Sequence, residues 1–114
     1  MKKTEYRIVY TYSSREDIRK MKKYILDTFQ YREYADNFMY NIKNATKGLK
    51  ILPTGFSTIG FRYKGYDVHM KPYRTYLIFY VVDDAGKTVT VLRILKDGMD
   101  WQYIIKQWLK QNEL

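Results

Sequence analysis

Tyr6, Ile8, Tyr10 and Tyr12 alternate with Arg7, Val9 and Thr11, which is the period of a strand with one face turned inward. The pattern changes at Ser13-Ser14-Arg15-Glu16-Asp17. There a Ser14 hydroxyl can accept from the amide three residues on, and Asp17 sets negative charge in a helix's first turn. Ile18, Met21, Ile25 and Phe29 then recur at three- and four-residue steps while Arg19, Lys20, Lys22 and Lys23 fall between them, an amphipathic helix with a basic outer side. A second helical pattern follows in Ala35, Phe38, Met39, Ile42, Ala45 and Leu49. It runs to near residue 52, where Pro53 and Gly55 prevent continuation. The loop between the helices, residues 30–32, is short enough to make them an antiparallel hairpin, and their joint apolar face is too wide to leave in water.

The remaining periodicity is that of strands. Residues 59–63 and 66–70 flank Lys64-Gly65, and residues 76–82 and 88–95 flank the polar turn Asp83-Asp84-Ala85-Gly86-Lys87, as antiparallel neighbours require. In the run beginning at Tyr76, the residues Leu77, Phe79 and Val81 share one side, which we assign to the helices, leaving Tyr76, Ile78 and Tyr80 on the other. Residues 101–109, with Ile104, Ile105, Trp108 and Leu109 on one side, close the chain as a short helix. The expected fold class is α+β. It comprises an N-terminal strand, an antiparallel helical hairpin, a mostly antiparallel β-meander and a short C-terminal helix, with the hairpin on one face of the sheet.

Composition narrows the options. At 114 residues the chain fits one domain spanning 1–114, since two separate cores would each bury too little apolar surface. No apolar run approaches the roughly 20 residues that span a bilayer, and the start Met1-Lys2-Lys3-Thr4-Glu5 lacks the secretory pattern, so a cytoplasmic protein that avoids membranes is expected. The absence of cysteine excludes a disulfide framework, thiol catalysis and Cys-based metal centres. His69 is the only histidine and the glycines never fall in a nucleotide-binding spacing, so neither a metal nor a small-molecule cofactor is expected. Twenty-one Lys and Arg against 12 Asp and Glu give a net charge of +9, which points to an acidic partner. Between Lys43 and Arg74 the only acidic residue is Asp67, so this window is a candidate for tracking phosphates or binding an acidic chain. Tyr63-Lys64, Lys71-Pro72-Tyr73-Arg74 and Tyr76 interleave rings with cations as nucleic-acid binders do. Tyrosine also suits half-buried strands, which accounts for most of the 13 in the chain.

The segment 76–101, YLIFYVVDDAGKTVTVLRILKDGMDW, pairs an "LIFYVV" strand with "VLRIL" and ends in a short charged stretch closing in Asp-Trp. That layout, with the preceding helical pair, the small size and the basic charge, resembles the RelE/ParE superfamily of bacterial toxins from type II toxin–antitoxin pairs. The resemblance implies a toxin that inhibits growth when free. It also implies an antitoxin whose acidic, initially disordered segment folds along the basic sheet and hairpin. RelE-like members are ribosome-dependent mRNA endonucleases that need no metal and use basic and tyrosine side chains to deprotonate the 2′-hydroxyl, steady the phosphorane and protonate the leaving oxygen. On that reading the catalytic candidates are His69, Arg74, Tyr76 and Arg93, with Arg62, Lys64, Lys71 and Lys96 binding nucleic acid or a partner. Strand parity puts Asp67, His69 and Lys71 on one side.

The chain departs from the RelE pattern. Asp67 and His69 stand where such members tend to carry lysines, Tyr76 stands where an arginine is expected, and residues 96–101 lack an Arg-rich ending. ParE-like members, similar in the closing Asp-Trp, poison DNA gyrase and need a docking surface in place of nuclease residues. The balance favours the ParE-like mechanism. RelE-like cleavage and a non-toxic basic nucleic-acid-binding module stand as alternatives.

Overall fold

A computed structural model describes residues 5–112. Residues 1–4, which carry most of the start segment read above for a secretory pattern, lie outside the described residues. The elements follow the expected order: β1 (Arg7–Tyr10), α1 (Tyr12–Phe29), α2 (Arg32–Lys47), β2 (Thr58–Tyr63), β3 (Tyr66–Tyr73), β4 (Tyr76–Asp83), β5 (Thr88–Lys96) and α3 (Trp101–Asn112). Two short 3-10 turns, Gly48–Lys50 and Pro53–Gly55, lead from α2 to β2. The five strands form one sheet in the order β1-β5-β4-β3-β2. The meander pairs antiparallel throughout, and β1 joins its β5 edge in parallel, with Arg7 opposite Thr88 and Tyr10 opposite Val91.

The first strand stops at Tyr10 because Thr11 is already the helix cap. The Thr11 hydroxyl accepts from the Ser14 amide at 3.1 Å and donates to the Leu92 carbonyl at 2.7 Å, so one side chain starts α1 and ties it to the edge of β5. Ser14 is therefore not the cap expected from sequence. It is fully buried one turn into the helix, with its hydroxyl donating back to the Thr11 carbonyl. Asp17 likewise lies beyond the first turn and has a different partner, described below. At the other end of α1, Gln30 takes a left-handed conformation (φ 60°) and its amide returns to the Leu26 carbonyl, which turns the chain into α2 within two residues.

The sheet is the middle layer of three. Phe38, Ile42, Ala45 and Leu49 from α2 and its following turn pack with Ile78, Tyr80, Val89, Val91 and Ile94. On the opposite face Ile105, Trp108 and Leu109 of α3 pack with Val68, Leu77, Phe79, Val81, Leu92 and Leu95. The alternation in β4 is as expected, but its sides are reversed: Ile78 and Tyr80 meet the hairpin, and Leu77, Phe79 and Val81 meet α3. Both parities of β4 are apolar, so the period fixes the alternation without saying which helix covers which side. The ladder passes from Phe79–Arg93 to Tyr80–Val91, leaving Leu92 as a bulge residue in β5. This shift lets Val91 and Ile94 face the hairpin while Leu92 and Leu95 face α3.

Two polar contacts fix the layers. Trp108 donates its indole N–H to the Ser13 hydroxyl at 2.7 Å, holding α3 to the start of α1. Tyr80 is fully buried and donates to the Pro53 carbonyl, and burial pushes its phenol above the usual range. Pro72 sits inside β3 without disturbing the sheet, because β2 pairs only as far as Thr58 opposite His69 and the proline lies beyond that point.

Candidate functional site

The side chains singled out in the sequence fall in four places. At one end of the meander, Tyr76 stands opposite Lys96 across β4 and β5. Arg74 occupies the β3–β4 turn beside them at φ 55°, with its guanidinium 5.8 Å from the Tyr73 ring. At the far end of β3, Arg62 donates to the Gly65 carbonyl and lies 3.5 Å from the Asp67 carboxylate, while the Lys64 ammonium is 5.3 Å from the Tyr63 ring. The eight residues of β3 at about 3.3 Å each put these groups on the order of 26 Å apart.

His69 and Lys71 occupy the middle of β3 and, as parity predicts, share the hairpin side. The Phe56 carbonyl lies 2.7 Å from Nδ1 of His69. Since a carbonyl only accepts, that nitrogen carries the proton in the neutral ring and Nε2 holds the lone pair. The ring stacks on Tyr80 with centroids 5.1 Å apart. Lys71 donates to the Ala45 carbonyl at 2.6 Å, with its ammonium 5.2 Å from the Phe56 ring. A cation near the carbonyl end of α2 complements the helix dipole, and burial draws the Lys71 ammonium below its usual range.

Arg93 stands apart from all of these. Its Nε and Nη2 donate to the two oxygens of Asp17 at 2.7 and 2.9 Å, and the same carboxylate accepts from the Ile94 amide at 3.0 Å. β1 ends opposite Val91, which leaves this stretch of β5 without a strand neighbour on the edge away from β4, and Asp17 on α1 supplies the missing acceptor there.

A groove of about 810 Å³ unites Arg74, Tyr76 and Lys96 with residues that the sequence reading did not single out. Lys20, Tyr24 and Phe29 come from α1, and Tyr34, Asn37 and Asn41 from α2. The wall is aromatic and aliphatic, and the charged lining groups, Lys20, Arg74 and Lys96, are all cationic. Phe38 and Tyr76 meet across its base with ring centroids 5.3 Å apart, and Phe29 and Tyr34 touch at 5.4 Å near the hairpin tip. The signal for the helical half was available: Tyr24 and Tyr34, 61% and 49% exposed, interrupt otherwise polar helix faces off the core stripe. What the groove can do chemically is hold an extended or helical segment with apolar anchors and acidic flanks.

A helical hairpin over a meander with a fifth, parallel strand is the fold of the RelE/ParE-like class of small toxins. The chain belongs to the ParE toxin family of type II toxin–antitoxin systems: the family described as the ParE toxin of the parDE system matches residues 8–101. Among solved structures it is similar to a chain of the chromosomal ParDE system from P. aeruginosa, with TM-score 0.66 and 16% identity over 82% of this chain and 98% of that one. It is also similar to a chain of the RelBE2 toxin–antitoxin complex from Mycobacterium tuberculosis (0.56, 21%, covering 81% and 98%). A chain of the archaeal RelE–RelB complex from Pyrococcus horikoshii gives 0.54 and 17%, covering 82% and 97%. No curated protein matches the sequence. At these identities the solved structures share the fold.

Proposed function

We propose that this toxin stops growth by a ParE-like action, docking onto DNA gyrase and poisoning it in the cytoplasm, and that an acidic antitoxin neutralises it. The observation that carries this reading is the separation and engagement of the groups a metal-free nuclease would use. Arg93 is held by Asp17, Lys71 by the end of α2, and His69 by Phe56 and Tyr80. A general base, a phosphate clamp and a general acid must converge within about 3 Å of one reacting position. His69 and Arg74 are five residues apart along one strand and its turn, on the order of 16 Å. The groove, by contrast, has the aromatic and Arg composition of a protein-docking surface.

One observation favours the RelE-like alternative. Arg74, Tyr76 and Lys96 do share a groove, and a basic pair with a phenol could clamp and protonate a phosphodiester. The antitoxin is supported by charge, since a +9 chain attracts an acidic segment, and by the company of its structural neighbours, two of which are toxin–antitoxin complexes. The test is the supercoiling of relaxed plasmid by purified gyrase with the protein added. Inhibition, or accumulation of linear DNA, with neither in gyrase-free controls supports the reading. Unimpaired supercoiling at a large molar excess of toxin overturns it.

A further inference from the structure

A second groove, sharing no lining residue with the first, runs between the C-terminal half of α2 and β1. It encloses about 880 Å³, and its cations are Arg7 from β1 with Lys43, Lys47 and Lys50 from α2 and the turn after it. All four are exposed, and none has an ion-pair partner among the described residues. The one acidic lining residue is Glu5. Lys43 and Lys47 are one turn apart, about 6 Å along the axis, and Lys50 continues the row, a spacing on the scale of successive phosphates along an extended strand.

The rings of Tyr6, Tyr10 and Tyr40 line the same groove. The floor is set: Tyr10 donates to the Thr46 hydroxyl at 2.8 Å, and the Tyr6 hydroxyl donates to Asp84 while its ring lies 4.9 Å from the Lys87 ammonium. Tyr40 is not held in this way. It is 66% exposed on the rim, one turn before Lys43, with a ring face that a base can cover.

We infer that this groove binds the backbone of a single-stranded nucleic acid, with Arg7, Lys43, Lys47 and Lys50 on successive phosphates and Tyr40 stacking on an unpaired base. An acidic peptide would satisfy the cations. It would leave the exposed ring without a planar partner, and Ile8 is the one aliphatic side chain among the residues that line the groove. The inference goes beyond the toxin reading and is independent of the target, since gyrase and the ribosome both carry nucleic acid, and its test uses neither.

The experiment is fluorescence anisotropy with labelled 12-nucleotide dT and U strands, and with a polyglutamate of equal charge, across a salt series. It compares the full chain with Lys43→Ala/Lys47→Ala/Lys50→Ala and with the control Lys22→Ala/Lys106→Ala/Lys110→Ala, which removes the same charge from α1 and α3. All six lysines are exposed, so circular dichroism should show folded protein in each case. We expect the groove variant to bind at least ten-fold more weakly near 0.1 M salt. The slope of log K against log salt should drop by about two, which is three phosphates at roughly 0.7 each. The control should stay within two-fold, and Tyr40→Ala should weaken strand binding about ten-fold with the salt slope unchanged. Equal losses in both triple variants, no strand binding by the full chain at low salt, polyglutamate binding as tight as the strand, or an inert Tyr40→Ala would each overturn the inference.

Discussion

Asp17→Ala removes the carboxylate that holds Arg93 and the Ile94 amide together. The pair is mostly buried, with side-chain exposures of 19% for Arg93 and 11% for Asp17. Deleting one partner of a buried pair costs about 3–5 kcal/mol, and an amide left without an acceptor costs about 1–3 kcal/mol. The two losses share one carboxylate and the guanidinium retains some water, so the costs do not add, and we expect about 3–4 kcal/mol in all. With a urea m-value of about 1.5 kcal/mol/M for a chain of this size, the unfolding midpoint should fall by roughly 2 M. The double variant Asp17→Leu/Arg93→Met exchanges the pair for apolar groups and leaves only the amide unmet, so it should cost about 1–2 kcal/mol. Urea unfolding followed by tryptophan fluorescence measures both, Trp101 and Trp108 reporting from α3. A loss below about 1 kcal/mol in the single variant, or a double variant as unstable as the single one, would refute the reasoning. The double variant also separates packing from function: with the fold restored and Arg93 gone, it should remain toxic.

Other consequences can be checked as directly. Arg74→Ala, at an exposed turn, should leave thermal stability unchanged while raising the inhibitory concentration roughly thirty-fold, as loss of an interface anchor worth about 2 kcal/mol does; unchanged potency in a growth or supercoiling assay would remove Arg74 from the site. Ile105→Ala should cost about 2–5 kcal/mol by opening a cavity under α3, where Ile105 is fully buried; a loss under 1 kcal/mol by urea unfolding would contradict the three-layer packing. Tyr80→Phe should cost about 1 kcal/mol at pH 7 through the lost bond to Pro53. Because burial raises the folded-state phenol above its ordinary value of 10.0, the wild-type advantage is present in full below pH 10 and is lost as pH rises above it. The gap between the two midpoints should therefore narrow in alkali, and a constant gap would contradict the assignment. His69→Gln and Lys71→Met should stay toxic, because both groups are engaged in the packing of β3 against α2; loss of toxicity in a folded variant would restore a catalytic role.

What the sequence revealed follows from what is local in it. Strand alternation in β4 and the three- and four-residue steps of both long helices are effects of near neighbours, and these elements appear where the periods put them, except that α2 ends at Lys47, short of the expected run to near residue 52, and 3-10 turns at Gly48–Lys50 and Pro53–Gly55 lead on to β2. The start of α1 was misread by one turn because Thr11, Ser13 and Ser14 are all competent caps, and the choice of Thr11 depends on a carbonyl in β5. The covered side of β4 was misread because both its parities are apolar and α3 lies at the end of the chain. The candidate site was legible in part. Arg74, Tyr76 and Lys96 converge because turn and register place them together, whereas Arg93 and Lys71 meet partners 76 and 26 residues away, which no local pattern reports. The helical half of the groove was missed because Tyr24 and Tyr34, although they break polar helix faces, meet the β3–β4 turn only once the hairpin has packed on the sheet.

The central claim is that this toxin acts by docking and not by cutting RNA. The most direct measurement maps RNA ends in a cell-free translation reaction on a defined, pre-made mRNA with the purified protein added, with and without loaded ribosomes. Docking on gyrase predicts intact mRNA and unchanged translation in both reactions. Codon-phased cuts that appear only with loaded ribosomes would contradict it and make the groove around Arg74, Tyr76 and Lys96 a nuclease site.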